Sequence, residues 1–321
     1  MNSEFPLYKN DKQPWRALYP NQVQELEIIN KKIEDGEYRF IDNPCLCGCK
    51  DRREDVLLSG KDRYGIGINY LLCKKCALIR AEKILDKESL RLFYKDNYRK
   101  LYKGIQVPTS GFVEKDQHPR GQRLANLIEH QVGKGEINKV FELGCSAGGI
   151  LEQFKKKGWL VSGCDWDLNF LSYGQAQGLD LYYGDIDLEK TPLQSQDLII
   201  MSHVMEHLVD PAEVVRDVSR YVRPGGYLLI EVPGTFTIEN PLQFFHISHL
   251  FNFYKDFLTI FFTEIGFDIV YGDEFCTFIL KKNRNLNDEV EGGAIDYSRL
   301  SEKHHDVARH LIDAYQKKNS R

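Results

Sequence analysis

Lys139-Val140-Phe141-Glu142-Leu143-Gly144-Cys145-Ser146-Ala147-Gly148-Gly149-Ile150-Leu151 passes within one short run from a buried β pattern, through a turn of small residues, into a helical segment expected over 150–157. Gly144 and Gly148 leave the backbone bare where a ligand can lie against it, and the N-terminus of the following helix offers unpaired N–H donors. The spacing is Glu-x-Gly-x-Ser-x-Gly, which is not the dinucleotide fingerprint G-x-G-x-x-G. Taken alone, it also suits an ordinary tight strand-to-helix connection.

Outward from this stretch the chain alternates strands and helices, the pattern of a parallel sheet covered on both faces. Strands are expected at 159–165, 179–183, 197–202 and 226–232, the last after the turn Arg223-Pro224-Gly225-Gly226. A closing pair at 267–271 and 276–281 has no helix between its members and reads as an antiparallel edge hairpin. Ligands of such sheets sit beyond the carboxyl ends of the strands. Glu142, Asp165, Asp185 with Ile186, and Ser202-His203 all fall there.

With these motifs in place, the chain resembles class I S-adenosylmethionine-dependent methyltransferases. Phe141-Glu142-Leu143-Gly144-Cys145-Ser146-Ala147-Gly148 is similar to their first motif, Gly163-Cys164-Asp165 to their ribose-binding acid and Gly184-Asp185 to their adenine-binding acid. The segment from Asp197-Leu198-Ile199 to Glu206-His207-Leu208 is similar to their fourth motif. The resemblance covers about 139–282 and implies a Rossmann-like α/β fold with a seven-stranded sheet. It also implies S-adenosylmethionine as cofactor, held by Glu142, Gly144, Cys145, Ser146, Gly148, Asp165, Trp166, Asp185, Ile186, Ser202 and His203.

Five of the eight cysteines crowd into residues 45–76, and Asn43-Pro44-Cys45-Leu46-Cys47-Gly48-Cys49 is followed, after 23 residues, by Cys73-Lys74-Lys75-Cys76. Two cysteine turns around a short β-like insert at 62–72 suit a tetrahedral zinc ion. Cys45, Cys47, Cys73 and Cys76 form the favoured set, because Gly48 follows Cys47 as a knuckle glycine would; Cys49 is the alternate. With Asp62-Arg63-Tyr64-Gly65 and Phe93-Tyr94-x-x-x-Tyr98-Arg99, this part resembles bacterial methyltransferases of sugars and surface polysaccharides.

That second resemblance implies a sugar or other small hydroxyl-bearing acceptor, walled by Tyr64, Tyr98 and Tyr102. A sugar hydroxyl holds its proton tightly, so a base is useful, and His203, His249 and His246 are the candidates. The sugar C-methyltransferases the chain resembles place an acid next to the histidine of this loop; Ser248 precedes His249 here, so the resemblance favours O-methylation over C-methylation of a nucleotide-linked sugar. A scaffold that has lost turnover is the alternative from another class.

The organisation expected is a polar helical segment (1–40), a cysteine-rich subdomain and helix (41–105), a linker (106–118), the methyltransferase domain (119–283) and a polar tail with a helix (284–321). The net charge of −4 argues against a broad nucleic-acid face. No apolar run approaches the roughly 20 residues of a membrane span. Met1 to Asn10 has no apolar core, so a cytoplasmic protein is expected.

Overall fold

The structure, a computed structural model, describes residues 5–105, 107–237, 239–282 and 296–319. The opening of the tail expected from 284 lies outside them. Within the segment expected to be helical, Pro20 starts α1 (Pro20–Glu34), because proline tolerates the first helical position, where no N–H partner is needed. β1 (Phe40–Asp42) leads to the first cysteine turn, then to β2 (Asp55–Ser59), β3 (Tyr70–Cys73), β4 (Ile79–Ala81) and β5 (Lys83–Leu85).

The insert expected to be β-like over 62–72 is extended only from Tyr70. The buried Asp62 carboxylate accepts the N–H groups of Tyr64 at 2.8 Å and Ile66 at 2.9 Å, and this local bonding replaces a strand ladder. Two helices follow, α2 (Lys87–Asp96) and α3 (Tyr98–Lys103).

The linker expected at 106–118 is helical from Ser110. Thr109 caps α4 (Ser110–Phe112), and one wide turn over Val113–Gln117 continues directly into α5 (His118–Gln131). Val113 is buried, and the Gln117 side chain accepts the Gly149 N–H at 3.1 Å, so this segment is packed into the fold.

Next come β6 (Lys139–Leu143), α6 (Gly149–Lys156), β7 (Leu160–Asp165), α7 (Leu168–Ala176), β8 (Asp180–Tyr183), β9 (Gln196–Ser202), α8 (Pro211–Ser219) and β10 (Val222–Glu231). After α9 (Pro241–Phe244) and β11 (Phe251–Asn252), α10 (Lys255–Glu264) leads into the hairpin of β12 (Phe267–Gly272) and β13 (Thr277–Lys282). α11 (Lys303–Asn319) closes the chain, with Leu300, Val307 and Leu311 buried against the body.

The central sheet has seven strands in the order β12-β13-β10-β9-β6-β7-β8. β8, β7, β6, β9 and β10 are parallel, and β13 and β12 complete the edge antiparallel. This is a Rossmann-like α/β architecture with a seven-stranded sheet, as expected. The chain winds outward from β6 to β8 and then restarts at β9 on the other side, so the crevice opens at the carboxyl ends of β6 and β9.

α5 lies on α6 at close range. A Cβ on Gly121 would stand 2.8 Å from Ile150 Cα and 2.9 Å from its carbonyl oxygen. Alanine gains about 1 kcal/mol over glycine in a helix interior, whereas overpacking against backbone costs about 1–3 kcal/mol. Gly121→Ala is therefore expected to destabilise the protein by up to about 2 kcal/mol. Urea denaturation checks this, and a stabilised variant would show that the two helices separate freely.

The second sheet joins the two ends of the chain. Its order is β11-β4-β3-β2, so a two-residue strand from the segment after β10 extends the sheet of the cysteine region. Ala81 N–H donates to Leu250 O at 3.1 Å, Arg63 N–H to Phe245 O at 2.7 Å and Tyr254 O–H to Cys76 O at 2.7 Å. The histidine-bearing loop at 240–254 is thereby fixed on the cysteine region.

Candidate functional site

The turn after β6 is shaped to accept a ligand. Gly144 and Gly148 both have φ +74°, and a Cβ on Gly144 would come within 2.7 Å of Val204 Cγ2. Ser146 and, across the crevice, His203 take left-handed φ values of 55° and 56° without being glycine. Such strain persists where the surroundings enforce it and clusters at functional sites. Asp165 Oδ2 accepts the Ser146 N–H at 2.8 Å and Arg99 donates to Ser146 Oγ at 3.0 Å, which holds the turn in place.

Nine of the eleven residues expected to hold a cofactor line one cleft of about 1510 Å³: Glu142, Gly144, Ser146, Asp165, Trp166, Asp185, Ile186, Ser202 and His203. Cys145 is buried behind the turn with its N–H donating to Cys164 O at 3.0 Å, and Gly148 packs against Leu179 and Leu181. The volume exceeds the roughly 300–1,000 Å³ of a single-ligand pocket, leaving room for a second molecule.

Glu142 Oε2 is buried and has no hydrogen-bond partner among the described residues, so it is an orphaned acceptor at the base of the cradle. Burial pushes its carboxyl well above the ordinary range, with Arg120 opposing. Burial also raises Asp165, partly offset by Arg99 and by the N–H groups of Ser146 and Asp167. At the outer rim Trp166 Nε1 donates to Asp185 Oδ1 at 3.0 Å.

Across the cleft lies a cluster the sequence showed only in part. His203 Nδ1 is 3.3 Å from Glu206 Oε1, and its Nε2 is 3.5 Å from Glu231 Oε1. Burial disfavours its charge, yet the two carboxylates outweigh burial and raise its pKa. Both carboxyls are desolvated, which alone would raise them. His207 and His203 nonetheless bring Glu206 down to about 2, and His203 and Arg123 do the same for Glu231. Arg123 bonds Glu231 directly, with Arg120 at 3.6 Å.

The other candidate bases differ in access. His249 lines the cleft, with burial pushing its pKa down to about 3. His246 is fully buried, its Nδ1 accepting the Ser248 N–H at 3.0 Å and its Nε2 lying 3.3 Å from Tyr64 O–H. Tyr94, Tyr98 and Tyr102 line the same cleft, the last two stacked at 5.5 Å. Tyr64 packs edge-on against His246 at 5.1 Å, one layer behind.

Arg99, Arg120, Glu206 and Glu231 received no role from sequence. Glu231 carried a readable signal, an acid closing the apolar run Leu228-Leu229-Ile230. Arg99 lies 47 positions before its partner Ser146, and no local pattern joins them.

In the cysteine region the four favoured sulfurs meet. Cys45 Sγ is 3.5 Å from Cys76 Sγ, and Cys47 Sγ is 3.4 Å from Cys45 Sγ and 3.8 Å from Cys73 Sγ. These separations are far beyond a disulfide bond. They match the edges of a tetrahedron, about 3.8 Å, around an ion bonded at about 2.3 Å. Gly48, at φ +73°, donates its N–H to Cys45 O and forms the knuckle. Cys49 turns away toward Asp51 O.

Residues 141–230 match the family described as "Methyltransferase domain". Among curated proteins, the ubiquinone biosynthesis O-methyltransferase of Leptothrix cholodnii is 30% identical over 127 residues, covering 37% of this chain and 52% of that protein. A probable S-adenosylmethionine-dependent methyltransferase of Mycolicibacterium smegmatis is 30% identical over 117 residues, 35% of this chain and 46% of the relative. The chain thus spans about half the length of the curated relatives it matches. Among solved structures, a 1,6-didemethyltoxoflavin N1-methyltransferase of Burkholderia thailandensis is 15% identical with a TM-score of 0.44, covering 64% of this chain and 96% of that one.

Proposed function

We propose, from the premise that this chain carries a class I S-adenosylmethionine-dependent methyltransferase domain, that it methylates a hydroxyl of a sugar or similar small acceptor. The observation that carries this reading is His203, held between the Glu206 and Glu231 carboxylates on the wall facing the glycine turn. An imidazole between two carboxylates is oriented and made more basic, which suits removal of a hydroxyl proton.

S-adenosylmethionine bound in the cleft supplies an activated methyl group for in-line displacement. Glu142 would meet its amino end, Gly144 and Ser146 would give it backbone contact, and Asp165 would accept from its ribose hydroxyls. Asp185, steadied by Trp166, and Ile186 would flank its adenine. Tyr98 and Tyr102 offer stacked aromatic faces on which a sugar's C–H face packs. His249 borders the acceptor, and His246, bonded on both nitrogens, positions the loop that carries it.

The four-thiolate set suits a structural zinc ion, since a closed shell leaves no position for chemistry. Eight cysteines without a disulfide fit a reducing cytoplasm, and no described helix is long and apolar enough to cross a membrane. Surface-polysaccharide or related sugar biosynthesis is the setting this reading implies.

Carbon methylation is the second reading, and one observation favours it. The absence of an acid before His249 pointed to oxygen, but Glu206 stands beside His249 in space and draws on its charge.

His203→Ala is expected to lower kcat by about 10²–10⁴-fold while leaving S-adenosylmethionine affinity within a few-fold. Turnover requires the neutral imidazole, so in the wild type it is expected to fall as pH drops through a value above the ordinary histidine range. A pH–rate profile unchanged by the substitution removes His203 as the base.

A further inference from the structure

Glu206, His207 and His249 present donor atoms that all lie within 4.8 Å of one another on the cleft wall. The Glu206 side chain is 2% exposed; its Oε1 stands in ion-pair range of His203 Nδ1 at 3.3 Å and His207 Nε2 at 3.7 Å without a well-aligned hydrogen bond, and its Oε2 has no hydrogen-bond partner among the described residues. His249 Nδ1 is likewise buried and unpartnered. Leaving such atoms unpaired in a protein interior is costly.

His207 Nδ1 lies 2.7 Å from the Ser248 carbonyl oxygen, to which it can only donate. In the neutral ring its Nε2 then carries a lone pair, and it lies 3.7 Å from Glu206 Oε1. A backbone carbonyl on the far nitrogen is the partner that orients metal-binding histidines. The Leu250 N–H donates to Glu206 O at 2.9 Å, so the two segments supplying the donors are tied together.

We propose that Glu206, His207 and His249 bind a divalent transition-metal ion in the acceptor half of the cleft, separate from the four thiolates. Two imidazoles and one carboxylate select zinc, iron(II), manganese or cobalt over magnesium or calcium, which prefer oxygen throughout. Ligands of an ion bonded at about 2.1 Å stand about 3.0–3.5 Å apart, so side-chain rotation of about an ångström seats it. Three protein ligands leave positions open toward the cleft, where the ion would hold the acceptor hydroxyl and favour loss of its proton toward His203. This role rests on the methyl-transfer reading; the binding itself does not.

Metal-stripped full-length protein titrated with cobalt(II) tests the binding. Thiolate-bound cobalt shows an intense near-ultraviolet charge-transfer band, whereas cobalt on imidazole and carboxylate shows only weak visible bands. The wild type is expected to take up about two equivalents, the second without further growth of the charge-transfer band. Glu206→Gln and His249→Ala are each expected to lose that second uptake and keep the band, which also reports that the cysteine region is folded. Uptake that stops when the band saturates overturns the proposal, as does wild-type uptake in both variants. Calorimetry with S-adenosylmethionine on the same samples reports the cofactor site independently, so failure of the metal site is distinguished from failure of the methyltransferase reading.

Discussion

Asp165→Ala is expected to weaken S-adenosylmethionine binding by about 100-fold or more. Each hydrogen bond to a charged group contributes about 1.5–3 kcal/mol, and Asp165 has lone pairs for both ribose hydroxyls beyond those already in use. It also accepts the Ser146 N–H at 2.8 Å and the Asp167 N–H at 2.9 Å. Its loss therefore unties the strained Ser146 from the end of β7. Arg99, 4.0 Å from Asp165 and 3.5 Å from Asp167, would lose part of its counter-charge. Asp165→Asn keeps one acceptor and should recover part of the affinity. Equilibrium dialysis with labelled cofactor checks both variants, and wild-type affinity in Asp165→Ala would place the ribose elsewhere.

Cys73→Ser is expected to release zinc and lower stability by about 3–5 kcal/mol, comparable to breaking a buried charged cluster. Cys73 ends β3 with no exposure, its N–H donating to Leu78 O and its carbonyl accepting from Ala77 in the knuckle. The consequence extends to the cleft. β4 pairs with β11, and Cys76 O accepts from Tyr254, so a loosened cysteine region frees the loop carrying His246 and His249. Elemental analysis should find about one zinc per four-thiolate set, and chelation should reproduce the variant's melting curve. A zinc-free protein, or a variant that melts with the wild type, would contradict this account.

The parts legible in sequence are those written locally. The β6 turn, the acids at strand ends and the closing hairpin each depend on neighbours within a few residues. So does the choice of Cys47 over Cys49, which Gly48 decided through its knuckle conformation. The parts that were not legible depend on distant pairing. β11 is two residues long and acquires its role only by lying against β4, some 170 positions earlier. Glu206 follows β9 in a short turn, and only Leu250 and His249, from the distant 240–254 loop, make it part of the cleft wall. The helix from Ser110 was hidden by Pro108 and Gly111, residues that usually mark a loop, and Val113 shows that packing against the body overrode them.

The central claim is that this cleft transfers a methyl group to a sugar-like hydroxyl. The most direct test is incubation of the purified protein with S-adenosylmethionine labelled in the methyl group and a panel of nucleotide-linked sugars and glycan fragments, followed by analysis of the product bond. Label is expected in a methyl ether, formed by the wild type and lost with His203→Ala. Label on carbon would support the second reading. Bound cofactor whose label reaches no acceptor would contradict the claim.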